Sequence, residues 1–465
     1  MILHLQQHLW MFMLLTLALG LFSGLPVALV QTGVGFGFGL IGCALHLVRL
    51  QEFQAIYYRI FGTLFDTEDV FWSAVPLLLF MGMVLHESGI ASEMQTCLQR
   101  ILRRFPGGLA LSALVMGALL APAAGMIGAS VVTLSLIALP EMMDRGYRPA
   151  FASGAVAAAG TLGVALPPGV MLVFVADAMG IYTPYIFLGM VGPGLLLMIL
   201  YGAWCMVAGS RESTTAPAMA GSEGLSIWKM IRGVFLPAAL IGLMLLSVTV
   251  GNLPIAEAAA VGGGGSLLLS LFSGRLQVAV LRRVVVKTAL ITAMVFFIFM
   301  GASVFNLMFR LIGGVDAVGG FLAHLRLGSW ATLGAILAIL FLLGFFVDWI
   351  ELVMVSFAIF RPALDSVDFS ASIPAPVLAY TWVTVLITMT LQVSFMTPPF
   401  GYALFFLKGS APQRVRMKDV YRGIVPFVVL TLLAIGCVAR FPEIATWLPG
   451  RALSQDVVRK VEAID

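Results

Sequence analysis

Charge is what this sequence has least of. Only 10% of its 465 residues are charged, 61% are hydrophobic, and the mean hydropathy is +1.05. A soluble domain carries roughly 25% charged residues, so the solvent of this chain is a bilayer. Apolar runs of spanning length, about 20 residues, fill nearly the whole sequence and leave no room for a separate soluble domain. The net charge of +4 is small; its distribution reports topology and gives no sign of nucleic-acid binding.

Other absences narrow the reading further. The four cysteines, Cys43, Cys97, Cys205 and Cys437, stand singly without ligand spacing, as ordinary membrane-helix residues do. Met1 to His8 holds no Lys or Arg ahead of the apolar stretch from Leu9. A signal peptide wants a basic start, so this stretch is expected to be the first transmembrane helix. His-Glu-x-x-His, Gly-x-Ser-x-Gly in a strand–turn–helix setting and a phosphate loop with Gly-Lys-Ser/Thr are all missing. That argues against an enzyme and against a self-contained ATP-driven pump. Energy is then expected from an ion gradient or another subunit.

What the chain does have is two proline-broken patches inside apolar sequence. One is Gly160-Thr161-Leu162-Gly163-Val164-Ala165-Leu166-Pro167-Pro168-Gly169; the other is Gln392-Val393-Ser394-Phe395-Met396-Thr397-Pro398-Pro399-Phe400-Gly401. A double proline removes two backbone donors and bars the preceding residue from the helical region. Bare carbonyls at membrane depth are tolerated only where they line a protein-buried or wet cavity. Paired breaks in two halves of a membrane protein point to a transporter's binding site.

The halves also match elsewhere. Leu25-Pro26-Val27-Ala28 answers Leu253-Pro254-Ile255-Ala256, Phe80-Met81-Gly82 answers Phe299-Met300-Gly301, Pro140 answers Pro362, and the double prolines answer each other, at offsets of 219 to 231 residues. Four landmarks in one order imply duplication.

Basic clusters orient the chain. Arg100, Arg103 and Arg104 precede the segment Leu109–Leu139, and Arg145 and Arg148 follow it. With both flanks cytoplasmic, that segment enters and leaves on one side, as a re-entrant helical hairpin with its tip in Pro122–Ser130. Its counterpart runs from about Ala331 to Pro362, with its tip near Val347-Asp348-Trp349 and its base outside, flanked by Asp316, Asp365 and Asp368. Arg211, Lys229 and Arg232, then Arg275, Arg282, Arg283 and Lys287, then Lys408, Arg414, Arg416, Lys418 and Arg422 complete the cytoplasmic set. Arg49 and Arg59 fall outside and run against the rule.

The expectation is therefore an all-α polytopic membrane protein of two inverted repeats, each with about five transmembrane crossings and one re-entrant hairpin. The first repeat covers residues 1–208, with its hairpin at about 109–143 and its broken helix at about 149–180. A cytoplasmic linker covers 209–228. The second repeat covers 229–440, with its hairpin at about 331–365 and its broken helix at about 376–408. Residues 441–465 form a tail.

Small polar residues lie between the tips and the breaks: Ser130, Thr133, Gly160, Thr161, Asp348, Ser394 and Thr397. Their hydroxyls, the Asp348 carboxylate and unwound carbonyls are the oxygen ligands a hard cation such as Na⁺ wants. Half-helix N-termini after Pro168 and Pro399 suit an anion. The same Gly, Ser and Thr residues also permit close helix packing. A carboxylate inside a membrane segment is costly and usually functional, which singles out Asp348 and Glu351; at a wet tip both are simply solvated. Glu257 suits capping or helix contact. Arg310, near its helix end, either snorkels or supplies counter-charge to an anionic substrate. His46, His86 and Glu87 sit near membrane ends and are given no role.

Ala159-Gly160-Thr161-Leu162-Gly163 with Pro167-Pro168, Leu253-Pro254-Ile255-Ala256-Glu257-Ala258-Ala259-Ala260-Val261-Gly262, and Ser394-Phe395-Met396-Thr397-Pro398-Pro399-Phe400-Gly401 together resemble the large membrane subunit of TRAP (tripartite ATP-independent periplasmic) transporters. The similarity covers almost the whole chain. Gly344-Phe345-Phe346-Val347-Asp348-Trp349-Ile350-Glu351 and Ala403-Leu404-Phe405-Phe406-Leu407-Lys408-Gly409 look like the mannitol/chloroaromatic-type branch. The resemblance implies a multi-pass protein of the bacterial inner membrane and Na⁺-coupled secondary import of a small organic acid. It implies a small four-helix membrane subunit and a periplasmic substrate-binding protein as partners, with lipid around the chain. It also implies an elevator mechanism, in which hairpins and broken helices slide as a block, and no cofactor beyond Na⁺ as the coupling ion. Carried over, Gly128 and Ser130 with Gly160 and Thr161 form one Na⁺ site, and Asp348 with Ser394 and Thr397 the other. Substrate sits between Pro167, Pro168 and Gly169 on one side and Pro398 and Pro399 on the other. The first tip reads Gly-Ala-Ser-Val-Val-Thr, poorer in side-chain oxygens than many family members, so its carbonyls carry more. Two alternatives remain: a stand-alone Na⁺/anion symporter of related elevator architecture, and a membrane scaffold or assembly factor indifferent to Na⁺.

Overall fold

In lipid the helix is one of the few ways a chain satisfies its own backbone, and all regular structure among the described residues is helical. The computed structural model describes residues 2–21, 23, 25–65, 71–119, 127–212, 231–250, 253–324, 328–345, 347–365, 367–398 and 401–462. In chain order come α1 (Ile2–Leu21), α2 (Val27–Ala44), α3 (Gln54–Phe65), α4 (Phe71–Glu87), α5 (Ile90–Leu102), α6 (Gly108–Leu119), α7 (Ile127–Asp144), α8 (Pro149–Ala165), α9 (Val170–Met179) and α10 (Thr183–Glu212). They are followed by α11 (Leu236–Thr249), α12 (Ile255–Phe272), α13 (Val278–Leu311), α14 (Gly314–His324), α15 (Ser329–Leu343), α16 (Trp349–Asp365), α17 (Pro376–Phe395), α18 (Tyr402–Ser410), α19 (Met417–Arg440) and α20 (Glu443–Glu462).

Seven of these helices are individually long and apolar enough to cross a membrane, and α4 with α5 adds a bent pair at 65°. Proline and glycine set many of the ends. Pro26 and Pro254 are the N-cap residues of α2 and α12, and prolines open α8 and α17, where a missing N–H costs nothing. Gly180, at φ 61°, closes α9 in the left-handed conformation.

The packing is reciprocal. α6 and α7 lie side by side and both pack on α8; α15 and α16 lie side by side, and α15 packs on α17. Each set then reaches across: α7 packs on α18, and α16 packs on α9. Around them α2 packs on α13, α4 on α12 and α13, and α8 on α19. At the last of these a side chain on Gly154 would overlap the backbone of Gly423, so the two helices touch main chain to main chain.

Two stretches differ in extent from the sequence reading. α10 runs on to Glu212, into the segment read as linker. Much of the segment read as tail is α20, which packs against α10 and α17.

Basic residues from distant segments come together. Arg148, Arg211 and Arg422 line one pocket of about 240 Å³. Arg283 and Lys287 pair with Glu87, and Arg275 pairs with Glu93. These groups fall in the clusters assigned to the cytoplasmic face.

Candidate functional site

Both broken helices interrupt where the double prolines stand. The first leaves helical geometry between Ala165 and Val170, and the Gly169 N–H turns back to the Leu166 carbonyl at 2.8 Å. The second leaves it after Phe395 and resumes at Tyr402, with Gly401 at φ 37°. Neither α9 nor α18 has a side-chain cap at its N-terminus. First-turn amides and the positive end of the dipole therefore face each break, a setting suited to an anion.

The two breaks meet. Thr161 is fully buried; its hydroxyl lies 3.0 Å from the Ala158 carbonyl and 3.6 Å from the Met396 sulfur on the second broken helix. Tyr201 of α10 approaches the same sulfur at 3.9 Å and is tied to Thr431 of α19 by a short hydroxyl–hydroxyl bond.

Each hairpin reaches a break through a glycine. A Cβ on Gly160 would lie 2.5 Å from Val131 Cγ2, so α8 passes hard against α7 beside Ser130. A Cβ on Gly344 would overlap the Ser394 hydroxyl, so the turn before Asp348 is pressed onto α17. Gly128 faces the ring of Phe406 on α18, which ties the first hairpin to the second half.

The oxygens are placed as follows. Ser394 is fully buried and donates to the Leu391 carbonyl at 2.7 Å; Thr397 donates to the Val393 carbonyl at 2.6 Å. With protons committed to their own helix, both hydroxyls keep lone pairs to offer. Asp348 precedes α16, its carbonyl accepting from the Leu352 N–H at 3.0 Å, so it holds the N-cap position. Its Oδ1 is buried and has no hydrogen-bond partner among the described residues. No three His, Cys, Asp or Glu side chains cluster as metal ligands among the described residues. Any cation here is held mainly by hydroxyl and carbonyl oxygens.

The structure thus brings together Gly128, Ser130, Gly160 and Thr161 on one side and Ser394, Thr397 and Gly344 on the other, joined at Thr161–Met396, with Asp348 four residues beyond Gly344. Pro167, Pro168 and Gly169 stand at the break between α8 and α9, and Pro398 at the break between α17 and α18. Arg310 is elsewhere: it lies in a separate cleft with Arg59 and Arg361. Pro399, residues 122–126 and the side chain of Glu351 lie outside the described residues.

The sequence reading gives no role to one residue of this region. Gln392 is 1% exposed, and neither its Oε1 nor its Nε2 has a hydrogen-bond partner among the described residues. Buried amides are rarely left so. It belongs to the stripe Thr381, Val385, Thr388, Gln392, Met396, at helical spacing. Gly189 of α10 abuts Thr381 and Val385 at one end of the stripe, and Thr161 and Tyr201 abut Met396 at the other. A lone amide inside an apolar run, two residues from Ser394, was the available signal.

Comparison with known proteins agrees with this architecture. The family model described as "Tripartite ATP-independent periplasmic transporter, DctM component" matches residues 9–444. The C4-dicarboxylate TRAP transporter large permease protein DctM of Pseudomonas aeruginosa is 26% identical over 390 residues, covering 83% of this chain and 88% of that one. The ectoine TRAP transporter large permease protein TeaC of Halomonas elongata is 25% identical over 378 residues, covering 81% and 85%. In fold, the YdaH transporter of Alcanivorax borkumensis superposes with a TM-score of 0.60 at 14% identity, over 87% of this chain and 90% of that one. The chain belongs to the DctM-component family of TRAP transporter large permeases, multi-pass proteins of the bacterial inner membrane.

Proposed function

We propose that this chain is the large membrane subunit of a Na⁺-coupled tripartite importer of a small organic acid. A periplasmic binding protein delivers the carboxylate, and a small four-helix membrane subunit completes the transporter. The observation that carries this reading is the junction of two uncapped helix N-termini with buried hydroxyls at Thr161–Met396. Amide-rich helix ends favour the anion, and the flanking oxygens favour the cation.

On this reading Gly128, Ser130, Gly160 and Thr161 hold one Na⁺, and Asp348, Ser394 and Thr397 hold the second. Substrate lies between the Pro167-Pro168-Gly169 and Pro398-Pro399 breaks. The exchange of partners, α7 on α18 and α16 on α9, supports two inverted repeats locked into one block. That block would slide against α2, α4, α12 and α13.

The test is uptake into proteoliposomes holding this chain and its candidate small subunit, with succinate and ectoine as probes. Uptake that requires both an inward Na⁺ gradient and the binding protein supports the reading. Uptake without the binding protein replaces it with a stand-alone symporter. No Na⁺ dependence, with either probe, removes the coupling.

A further inference from the structure

A cleft of about 720 Å³ opens between α3, α9, α13, α14 and α16, away from the proline breaks. Phe299, Ser303, Asn306 and Arg310 line one wall of it, spaced one turn apart on α13. Arg59 of α3 and Arg361 of α16 face them.

Its side of the membrane follows from α13 itself. Lys287, paired with Glu87 in the cytoplasmic basic cluster, and Arg310 stand 23 residues apart on this one helix. That is roughly 35 Å at about 1.5 Å per residue, more than the hydrocarbon thickness of about 30 Å. The cleft therefore opens on the outer face, where the basic residue Arg59 broke the positive-inside pattern.

The three guanidiniums are not equivalent. Arg361 is committed: its Nε holds Asp365 Oδ1 at 2.9 Å, the oxygen to which the Tyr380 hydroxyl also donates at 2.9 Å. Its Nη1 reaches the Ala178 carbonyl at the end of α9. Arg310 makes no hydrogen bond or ion pair among the described residues. Arg59 and Arg310 are exposed neighbours of like charge. Two adjoining cations repel unless an anion lies between them.

Deeper in, Asn306 gives its Nδ2 to the Met354 carbonyl at 2.9 Å, while its Oδ1 is buried without a partner among the described residues. Asp177 and Asp316 also line the walls, so the cleft is no general anion sink. Beside these carboxylates and Asp365 it offers the Arg310 guanidinium for an incoming charged group, with neutral polar atoms of Ser303 and Asn306 deeper in.

The cleft is separate from the breaks. α9 begins beside Pro168 and ends at the cleft wall, roughly 15 Å away. Between them stands a wall of rings: Phe299 against Trp72 at 4.1 Å, Trp72 against Phe174 at 5.4 Å and Phe174 against Trp349 at 5.4 Å.

We propose that this cleft is a receiving site for a small carboxylate, in which Arg310 and Arg59 hold the anion on the outer side of the ring wall before it enters the broken-helix site. That the captured carboxylate is the cargo rests on the importer reading; the cleft's affinity for carboxylate does not.

The test uses the full chain in right-side-out spheroplasts, with Cys43, Cys97, Cys205 and Cys437 replaced by alanine and Val315→Cys placed in the cleft. The rate of thiol modification by a neutral methanethiosulfonate is measured with succinate, with 1,4-butanediol, and with chloride at matched ionic strength. Succinate is expected to slow modification several-fold, and butanediol and chloride to leave it unchanged. Arg310→Gln with Arg59→Gln is expected to abolish the protection without altering the unprotected rate. Arg310→Lys, which keeps the charge, is expected to retain part of it and serves if the double variant does not fold. Protection no greater than with chloride, or protection that survives loss of both guanidiniums, overturns the proposal. So does a membrane-impermeant anionic reagent that reaches Val315→Cys only after the membrane is opened. None of these readings needs Na⁺ or the binding protein. Absent protection with intact Na⁺-driven uptake sinks the cleft alone; the reverse sinks the importer reading alone.

Discussion

The Thr161 hydroxyl lies 3.6 Å from the Met396 sulfur, and at this contact the two broken helices, 235 residues apart in sequence, become one site. The contact itself is weak, since a thioether is a poor acceptor. Its meaning is positional: it fixes a buried hydroxyl at the point where helix ends from both halves converge.

Thr161→Val keeps the shape of the side chain and removes the oxygen. If that oxygen serves Na⁺, the half-saturating Na⁺ concentration for uptake rises about tenfold, the equivalent of ~1.4 kcal/mol. Thr161→Ser, which restores the oxygen, should recover most of the loss. An unchanged Na⁺ dependence in the valine variant, with normal folding, would leave Thr161 a packing residue.

Gly344 supports the second hairpin by having no side chain. A Cβ there meets the Ser394 hydroxyl, and overpacking of this kind costs about 1–3 kcal/mol. Gly344→Ala should lower the apparent melting temperature and abolish uptake. Adding Ser394→Gly should restore much of the stability, because it removes both atoms in the way, the hydroxyl and the Cβ that would lie at 2.7 Å. If Ser394 also serves a cation, stability returns without full uptake, and the separation of the two readouts is the check.

Much of this was legible in sequence because proline acts locally. Pro167-Pro168 and Pro398-Pro399 end a helix whatever surrounds them, so the breaks, and with them Thr161, Ser394 and Thr397, stood out before any packing was known. Asp348 stood out through the cost of a carboxylate in a membrane segment. Relations that depend on register did not. Arg59 and Arg310 are separated by the whole of the first broken helix and its hairpin, and only the packing of α3 beside α13 sets them together. Arg310 taken alone was equally a snorkelling side chain. Gln392 was visible as a residue, but its unpaired amide exists only once α8, α10 and α17 have closed around it.

Asp348 has two candidate duties, and one substitution separates them. At the N-cap of α16 its backbone carbonyl takes the Leu352 N–H, which any residue supplies, and asparagine suits that position about as well as aspartate. As a cation ligand it offers a charge, which asparagine lacks. Asp348→Asn should therefore change stability by less than about 1 kcal/mol. Na⁺-driven uptake should fall by about tenfold or more, at ~1.4 kcal/mol for each factor of ten. Equal loss of stability and uptake would assign the residue to capping alone.

Gln392 gives the opposite pairing of outcomes. An amide buried with no partner among the described residues costs about 1–3 kcal/mol for each unsatisfied group, so a leucine in its place removes that penalty. Gln392→Leu should fold at least as stably as the parent, with an equal or higher apparent melting temperature. If cargo or ion is what pairs with that amide, uptake should fall sharply in the same variant. Gln392→Glu separates the two occupants: a carboxylate there repels an anionic cargo and favours a cation. Lowered apparent affinity for succinate with undiminished Na⁺ affinity would place Gln392 on the cargo, and raised Na⁺ affinity would place it on the ion. A leucine variant that transports as well as the parent would show that the amide serves neither.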